Sequence, residues 1–239
     1  MTFTDKKFLR LSKASQHKKI CELIKKIYYH FDEQIFNSII RLEHLLNSPW
    51  TIDASIESLA NSFHKHLQHS GMGISEHALL IKEHDKSCAI KEWLEVDIYL
   101  DRIRSAHNIG NILRTTEAFR LGRVLFGTEM ANSAHPQVVK TSMGTSALVQ
   151  TKQIESLQEI EKRPLIAVET HQNAVMLHDF VFPKSFTLVM GNEEFGVSSK
   201  ILEKCDHIVE VPLCGQKNSL NVAACFSILA YKINLDLRS

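Results

Sequence analysis

The chain has 239 residues, 44% of them hydrophobic and 23% charged, with a formal charge of +1 at pH 7. That balance suits a globular protein that buries a core, and it excludes a disordered, collagenous or wholly coiled-coil chain. It also gives no global field for a polyanion, so any nucleic acid must be met by a local patch.

From Gln16 to Leu46 no Gly or Pro interrupts apolar residues at Ile20, Leu23, Ile24, Ile27, Phe31, Ile35, Ile39, Leu42 and Leu46. Steps of three and four predict one helical face, on a single helix or on two joined near Asp32. Pro49 stops the pattern, and a second one runs through Ile52, Ile56, Leu59, Phe63 and Leu67 until Ser70-Gly71-Met72-Gly73 breaks it. Residues 1–92 are therefore expected to form a small all-helical domain, with a second domain at 93–239. Within the first thirty residues Lys6, Lys7, Arg10, Lys13, Lys18, Lys19, Lys25 and Lys26 stand against only Asp5 and Glu22. This is the one marked charge asymmetry in the chain.

After Trp93 short β-rich runs alternate with helical patterns. Strands are expected at Val96–Ile103, Arg123–Phe126, Leu165–Val168, Phe186–Met190 and Ile208–Val211, and helices at Ile109–Leu121, Gln153–Lys162, Ser198–Lys204 and Ser219–Asn234. Such alternation predicts an α/β domain with a mostly parallel sheet and helices on both faces, whose ligand crevice lies at the carboxyl ends of the strands. No apolar run, including Leu220 to Ala230, reaches the roughly 20 residues that span a bilayer, and Met1 to Arg10 lacks a secretion signal. Five cysteines without a C-x-x-C pair fit reduced thiols in a cytoplasmic protein, and the scattered histidines give no metal-ligand spacing, so no metal is expected.

Three loops are dense in chemistry. In the first, His107 to Thr115, Asn108 is a candidate helix N-cap and Arg114 follows six residues later. In the second, Gly191 to Gly196, two glycines would let backbone approach a ligand while Glu193 is held at the strand's end. It has no Gly-Lys-Ser/Thr, and its acidic pair would repel phosphate. In the third, Val211 to Val222, Ser219 is the candidate N-cap of a helix apolar on nearly every side, with Asn221 a poor helix former one turn inside. Such a helix must be covered, by its own domain or by a second copy.

Together these loops resemble the SpoU (TrmH-like) branch of the SPOUT RNA 2′-O-ribose methyltransferases. The first has the form Asn-x-Gly-x-x-x-Arg-Thr at Asn108, Gly110, Arg114 and Thr115, and the second Gly-x-Glu-x-x-Gly at Gly191, Glu193 and Gly196. The third appears as Val211-Pro212-Leu213 followed by Ser219-Leu220-Asn221-Val222, with Leu213 where the family usually has Met, and Lys140 to Gly144 also looks like a family segment. The resemblance covers roughly residues 94 to 239. It implies a C-terminal trefoil knot, S-adenosylmethionine as cofactor, and tRNA or rRNA as substrate. By the same resemblance, Gly191, Val211, Leu213, Leu220 and Thr170 would line the cofactor pocket, Asn108, Arg114, Glu193, Ser219 and Asn221 would form the catalytic cluster, and a homodimer would pair through the knot region. The helical N-terminal domain does not resemble the α/β substrate-binding domain of many relatives. Its basic residues Lys6, Lys7, Arg10, Lys13, Lys18 and Lys19 are then the candidate RNA contacts. A catalytically silent RNA-binding protein on the same scaffold and an RNA base methyltransferase are the alternatives.

Overall fold

A computed structural model describes residues 4–71 and 92–238. The chain forms two compact units, residues 1–87 and 88–239. Met72 and Gly73 of the expected helix break, and Cys88, lie outside the described residues.

The first unit contains helices α1 (Asp5–Leu9), α2 (Lys13–Tyr29), α3 (Glu33–Leu46) and α4 (Ile56–His69). The uninterrupted pattern divides at Asp32, whose carboxylate accepts the Ile35 N–H and caps α3. Ser12 and Ser55 cap α2 and α4 in the same way, so α4 begins after Ser55 rather than at Ile52. Asn47 ends α3 in the left-handed conformation at φ 55°, one of the few places a non-glycine adopts it cheaply. The apolar stripes meet in a core of Phe8, Ile20, Ile24, Ile27, Ile39, Leu42, Leu59 and Phe63. Burying each such side chain is worth about 1.5–3 kcal/mol before entropy is charged against it, and Phe63→Ala should cost about 3–5 kcal/mol.

A polar line crosses this core. His17 Nδ1 lies 2.7 Å from His66 Nδ1, and His66 Nε2 lies 2.6 Å from Glu43 Oε1, which also accepts from Ser62 Oγ at 3.1 Å and Trp50 Nε1 at 3.3 Å. Burial, then the neighbouring His66 and His69, push the His17 pKa down to about 4. A neutral His17 donates Nδ1–H to His66, whose Nε2–H donates to the carboxylate, so one proton arrangement satisfies every contact from His17 to Glu43 Oε1.

The second unit is built on seven strands: β1 (Glu95–Leu100), β2 (Val124–Phe126), β3 (Thr151–Gln153), β4 (Leu165–Val168), β5 (Val175–Met176), β6 (Ser185–Met190) and β7 (His207–Glu210). Their order is β3-β2-β1-β6-β4-β7-β5, and every neighbouring pair is parallel. Four helices accompany them: α5 (Ala106–Ala118), α6 (Pro136–Thr141), α7 (Ser199–Leu202) and α8 (Val222–Arg238). Alternation along the strands sorts the two faces. Val96, Ile98 and Leu100 join Phe186, Leu188 and Met190 under α5, α6 and α8. Tyr99, Val189, Leu165 and Ala167 face the other way, against α7 and residues 154–160.

Three expectations change. Gln153–Lys162 is not a helix: Gln153 ends β3, and only a 3₁₀ turn forms at Leu157–Glu159 under a Ser156–Glu159 capping box. The first strand stops at Leu100, although Ile103 is fully buried in the loop beyond it. The fifth expected strand begins at His207 and ends before Val211.

Candidate functional site

Because all strands run the same way, the loops that follow β1, β4, β6 and β7 open on one edge of the sheet. The loop after β6 is drawn tight by its own backbone: Asn192 N–H donates to Gly196 O and Gly196 N–H to Asn192 O, both at 2.9 Å. A Cβ on Gly191 would collide with the Gly196 and Val197 backbone, and one on Gly196, at φ +67°, with the Glu169 carboxylate. Both glycines thus answer to the protein's own chain rather than to a ligand.

Glu193 projects toward the start of α5. Its Oε2 accepts the Arg104 N–H at 3.0 Å, and its Oε1 accepts the Ser105 N–H at 3.0 Å and Asn108 Nδ2 at 2.9 Å. Partial desolvation raises its pKa, but these hydrogen bonds outweigh it and hold the carboxyl below the usual range. A carboxylate at this position also complements the helix dipole.

The caps differ from those expected. Ser105, not Asn108, caps α5, its Oγ accepting the Asn108 N–H at 3.3 Å. Asn108 sits inside the first turn and joins two loops, since its Oδ1 accepts from Asn221 Nδ2 at 3.1 Å. Asn221 in turn is the cap of α8: its Oδ1 accepts the Ala223 and Ala224 N–H groups at 3.0 and 3.2 Å, and its carbonyl accepts the Cys225 N–H. Asn221 is therefore not a poor residue inside a helix but a favoured one at its end. Ser219, expected as the cap, is exposed in the loop before it. Gly110 of the first motif lets α5 approach α6, because a Cβ there would lie 2.6 Å from Thr141 Cβ. Thr115 meets Ser227 of α8 at 3.4 Å.

Two clefts flank this line. The larger, about 750 Å³, is lined by all five candidate cofactor residues, Thr170, Gly191, Val211, Leu213 and Leu220, together with Glu193, Ser219 and Asn221. Thr170 Oγ1 donates to Asn218 O at 3.4 Å, tying the end of β4 to the loop after β7. Its lining also holds Glu169, Glu194 and Glu210 and contains no Lys or Arg. Cys225, also there, is no nucleophile, because burial and then Glu169 push its thiol up to about 11. The smaller cleft, about 340 Å³, contains Asn111, Arg114 and Thr115 from one face of α5 and Ala223, Ala224 and Ser227 from α8. Asn221 belongs to both clefts. Arg114 is exposed and forms no ion pair among the described residues.

Of the expected catalytic set, Glu193, Asn108 and Asn221 are thus one hydrogen-bonded line, Ser219 faces the larger cleft, and Arg114 the smaller. Among the candidate RNA contacts Lys6, Lys7, Arg10, Lys13 and Lys18 are exposed, whereas Lys19 is half-buried and pairs with Glu22 at 2.9 Å. Sequence reasoning missed Asn192, Phe195 and Glu169. An acid directly after a buried strand was the only signal for the last of these.

A wholly parallel sheet with an acidic cleft built from three loops at its carboxyl edge marks an α/β protein whose site lies at the strand ends. The chain belongs to the SpoU rRNA methylase family, whose model matches residues 95–231. Family membership implies the C-terminal knot, and S-adenosylmethionine is the methyl donor of this family. The chain is 28% identical over 140 residues to the Bacillus subtilis 23S rRNA (guanosine(2553)-2′-O)-methyltransferase RlmP, covering 57% of this chain and 56% of that one. Among solved structures it is similar to the SpoU methyltransferase AviRb from Streptomyces viridochromogenes, with TM-score 0.54, 25% identity and 60% of each chain covered. It also shares its fold with an AdoMet-bound rRNA methyltransferase from Sinorhizobium meliloti, with TM-score 0.57, 18% identity, and 92% and 95% of the two chains covered. The chain spans a little over half the length of the curated relatives it matches.

Proposed function

We propose that this protein is an S-adenosylmethionine-dependent RNA methyltransferase that modifies the 2′-hydroxyl of a ribose in tRNA or rRNA. The observation that carries the reading is the placing of exposed Arg114 in a cleft that shares Asn221 with the acidic cleft. The cofactor fits the larger cleft by charge: a ligand with a sulfonium and an ammonium group suits a lining with four glutamates and no basic residue, and a nucleoside phosphate does not. Val211, Leu213 and Leu220 would supply apolar contact to it, and Gly191 and Thr170 the backbone edge. When bound, it supplies an electrophilic methyl group.

The protein's own residues then have separable tasks. A ribose hydroxyl is a weak nucleophile near neutral pH, so it must be held in line and its proton taken or polarised. Arg114 is always protonated, which suits it to orient the hydroxyl and anchor the adjoining phosphate rather than to act as a base. Glu193 holds the start of α5, and with it the helix that bears Arg114. Asn108 passes that constraint to Asn221, which fixes the start of α8. Ser219, exposed on the larger cleft, would bind the ribose or the cofactor.

The helical unit is proposed as the RNA-recognition element, on the strength of its exposed basic residues. We further propose a homodimer through α8. That helix leaves Ile228 42%, Tyr231 57% and Leu235 43% exposed, at spacings that put them on one face. Sedimentation at micromolar concentration should give twice the 27.2 kDa chain mass, and Tyr231→Glu should shift it toward one.

The test of the reaction is nuclease digestion and nucleoside mass spectrometry of RNA from cells lacking the gene. Loss of one 2′-O-methylated nucleotide, restored by the purified protein and S-adenosylmethionine, is expected. A lost base methylation would overturn the ribose assignment, and an unchanged profile with intact cofactor binding would favour a silent RNA-binding protein.

A further inference from the structure

The loop that carries Glu193 also carries an aromatic ring that the apolar core does not take up. Phe195 is 66% exposed, yet it lines the larger cleft and sits on a rigid turn. Asn192 Oδ1 accepts the N–H groups of Glu194 and Phe195 at 2.9 and 3.2 Å, and its Nδ2 donates to Arg102 O at 2.6 Å. The ring is thus presented on a loop pinned from both sides, so little conformational entropy remains to be lost when something packs on it. Leaving a phenylalanine in water forfeits the burial that usually justifies the residue.

Its one described ring partner is a cation. The Arg104 guanidinium carbon lies 5.5 Å from the ring centroid, and Arg104 Nη1 is held at 2.7 Å by Glu194 Oε2. The Arg104 backbone N–H separately binds Glu193, so one residue links this pair to the catalytic line through main chain alone. With an oriented guanidinium over one face of the ring, its other face is a surface suited to a flat, electron-rich heterocycle, and an unstacked nucleobase is such a group.

We propose that Phe195 and Arg104 form a stacking platform for an unpaired nucleobase adjoining the methyl-accepting ribose. The proposal rests on the RNA methyltransferase reading above and extends it to how the nucleotide is positioned. Phe195 is a positioning residue here: its ring holds the base, and the ribose is thereby held over the junction of the two clefts. The platform reads a π-face and not a hydrogen-bonding edge, so it favours single-stranded RNA over paired RNA without selecting a sequence.

Two measurements on the full chain test this. In the first, methyl transfer from labelled S-adenosylmethionine to total RNA from cells lacking the gene is compared for wild type, Phe195→Ala, Phe195→Trp and Arg104→Gln. Phe195→Ala should raise the apparent KM for RNA roughly ten- to a hundredfold, the range of one base–aromatic stack, with kcat within about twofold. Phe195→Trp should restore it and Arg104→Gln should fall between, while the affinity for S-adenosylmethionine alone stays at the wild-type value in all four. An unchanged KM in Phe195→Ala, or a loss of cofactor affinity, would overturn the proposal, the latter by giving the ring to the cofactor. In the second, a short single-stranded oligoribonucleotide containing 2-aminopurine should be quenched by the wild type and by Phe195→Trp but not by Phe195→Ala; equal quenching by all three would overturn the platform. This arm needs no turnover, so a protein that stacks the base but transfers no methyl group would sink the proposed reaction and leave the platform standing.

Discussion

Each unit of the molecule contains a line of hydrogen-bonded side chains that starts from a glutamate, and the two lines differ in where they end. In the helical unit Glu43, His66 and His17 are at most 8% exposed, and the line closes within the packed helices. In the sheet unit only Asn108 is buried; Glu193 and Asn221 are accessible at its ends, and Asn221 reaches two clefts. A closed line can act only on stability, because nothing outside the protein can exchange partners with it. An open one can transmit the position of a ligand. The same chemistry therefore reads as structure in one unit and as a site in the other.

The sharpest way to exploit this contrast is at Arg114, which belongs to neither line but is aimed by the open one. Arg114→Ala should lower kcat by roughly a hundredfold or more, the scale of losing an oriented charged donor. Affinity for S-adenosylmethionine and ellipticity should stay at the wild-type level, since the side chain is exposed and lies in the other cleft. Arg114→Lys should recover little, because an ammonium cannot reproduce the planar fork. Comparable turnover by Arg114→Ala would remove it from the mechanism.

The closed line should reveal itself as acid lability. The folded His17 value of about 4 lies below its usual 6.5, so the unfolded chain takes up the proton more readily. Stability from this group is complete above about pH 6.5 and falls until about pH 4, by roughly 3 kcal/mol in total. His66 and His69 from α4, Glu43 from α3 and Lys13 from α2 all face it, and of these only Glu43 opposes the shift. Denaturant titrations across that range should show the loss in wild type and a flatter profile in His17→Phe. Equal slopes would mean that the line does not couple to protonation.

Asn221 tests whether the open line is more than a cap. Asn221→Ala removes both the α8 cap and the donor to Asn108, and should cost about 1 kcal/mol of stability as well as activity. Asn221→Ser keeps a good cap but cannot span to Asn108, so stability should hold while kcat falls by about tenfold, a little over 1 kcal/mol of barrier. A fully active Asn221→Ser enzyme would return the residue to a purely structural role.

What could be read from the sequence follows from how local its cause is. The three- and four-residue periodicity exposed α2, α3 and α4, and the apolar runs exposed β1, β4 and β6, because those signals come from burying a face. The two- and three-residue strands β5 and β3 are held by one neighbour each, and Val175 and Met176 are exposed, so no apolar pattern marked them. The motif residues were legible as a set, yet their reasons were not. Asn108 looked like a cap and proved to be a link; Asn221 looked like an intruder and proved to be a cap. The Asn221 cap is local, two and three residues on, but Ser219 offered the same capping chemistry nearby; the Asn108 link depends on contacts more than eighty residues away in the chain, with Glu193 and Asn221, and no spacing rule carries that distance. The same holds for the His17–His66–Glu43 line, whose histidines were visible only as scattered residues.

The smallest effect expected is also the one that bears on the helical unit's part in recognition. If its basic residues meet RNA phosphates, each contact releases counterions, and removing one should flatten the logarithmic dependence of affinity on salt by about 0.7–0.9 of a unit. The residues are not equivalent. Lys18 and Lys26 are exposed on the α2 face opposite Ile20, Ile24 and Ile27, whereas Lys19 is half-buried and engaged with Glu22. An engaged ammonium must give up its carboxylate to reach a phosphate, so its net contribution is smaller. Lys18→Gln and Lys26→Gln should therefore each flatten the slope by close to the full amount, and Lys19→Gln by clearly less, when RNA affinity is measured across a salt series with S-adenosylmethionine present. Turnover at saturating RNA should be unchanged in all three, because none of these residues belongs to the clefts. Identical slopes for wild type and every variant would leave the basic face as a solvated surface, and RNA binding would then have to be sought on the sheet unit itself, where Arg104 and Arg114 are among the exposed cations beside the two clefts.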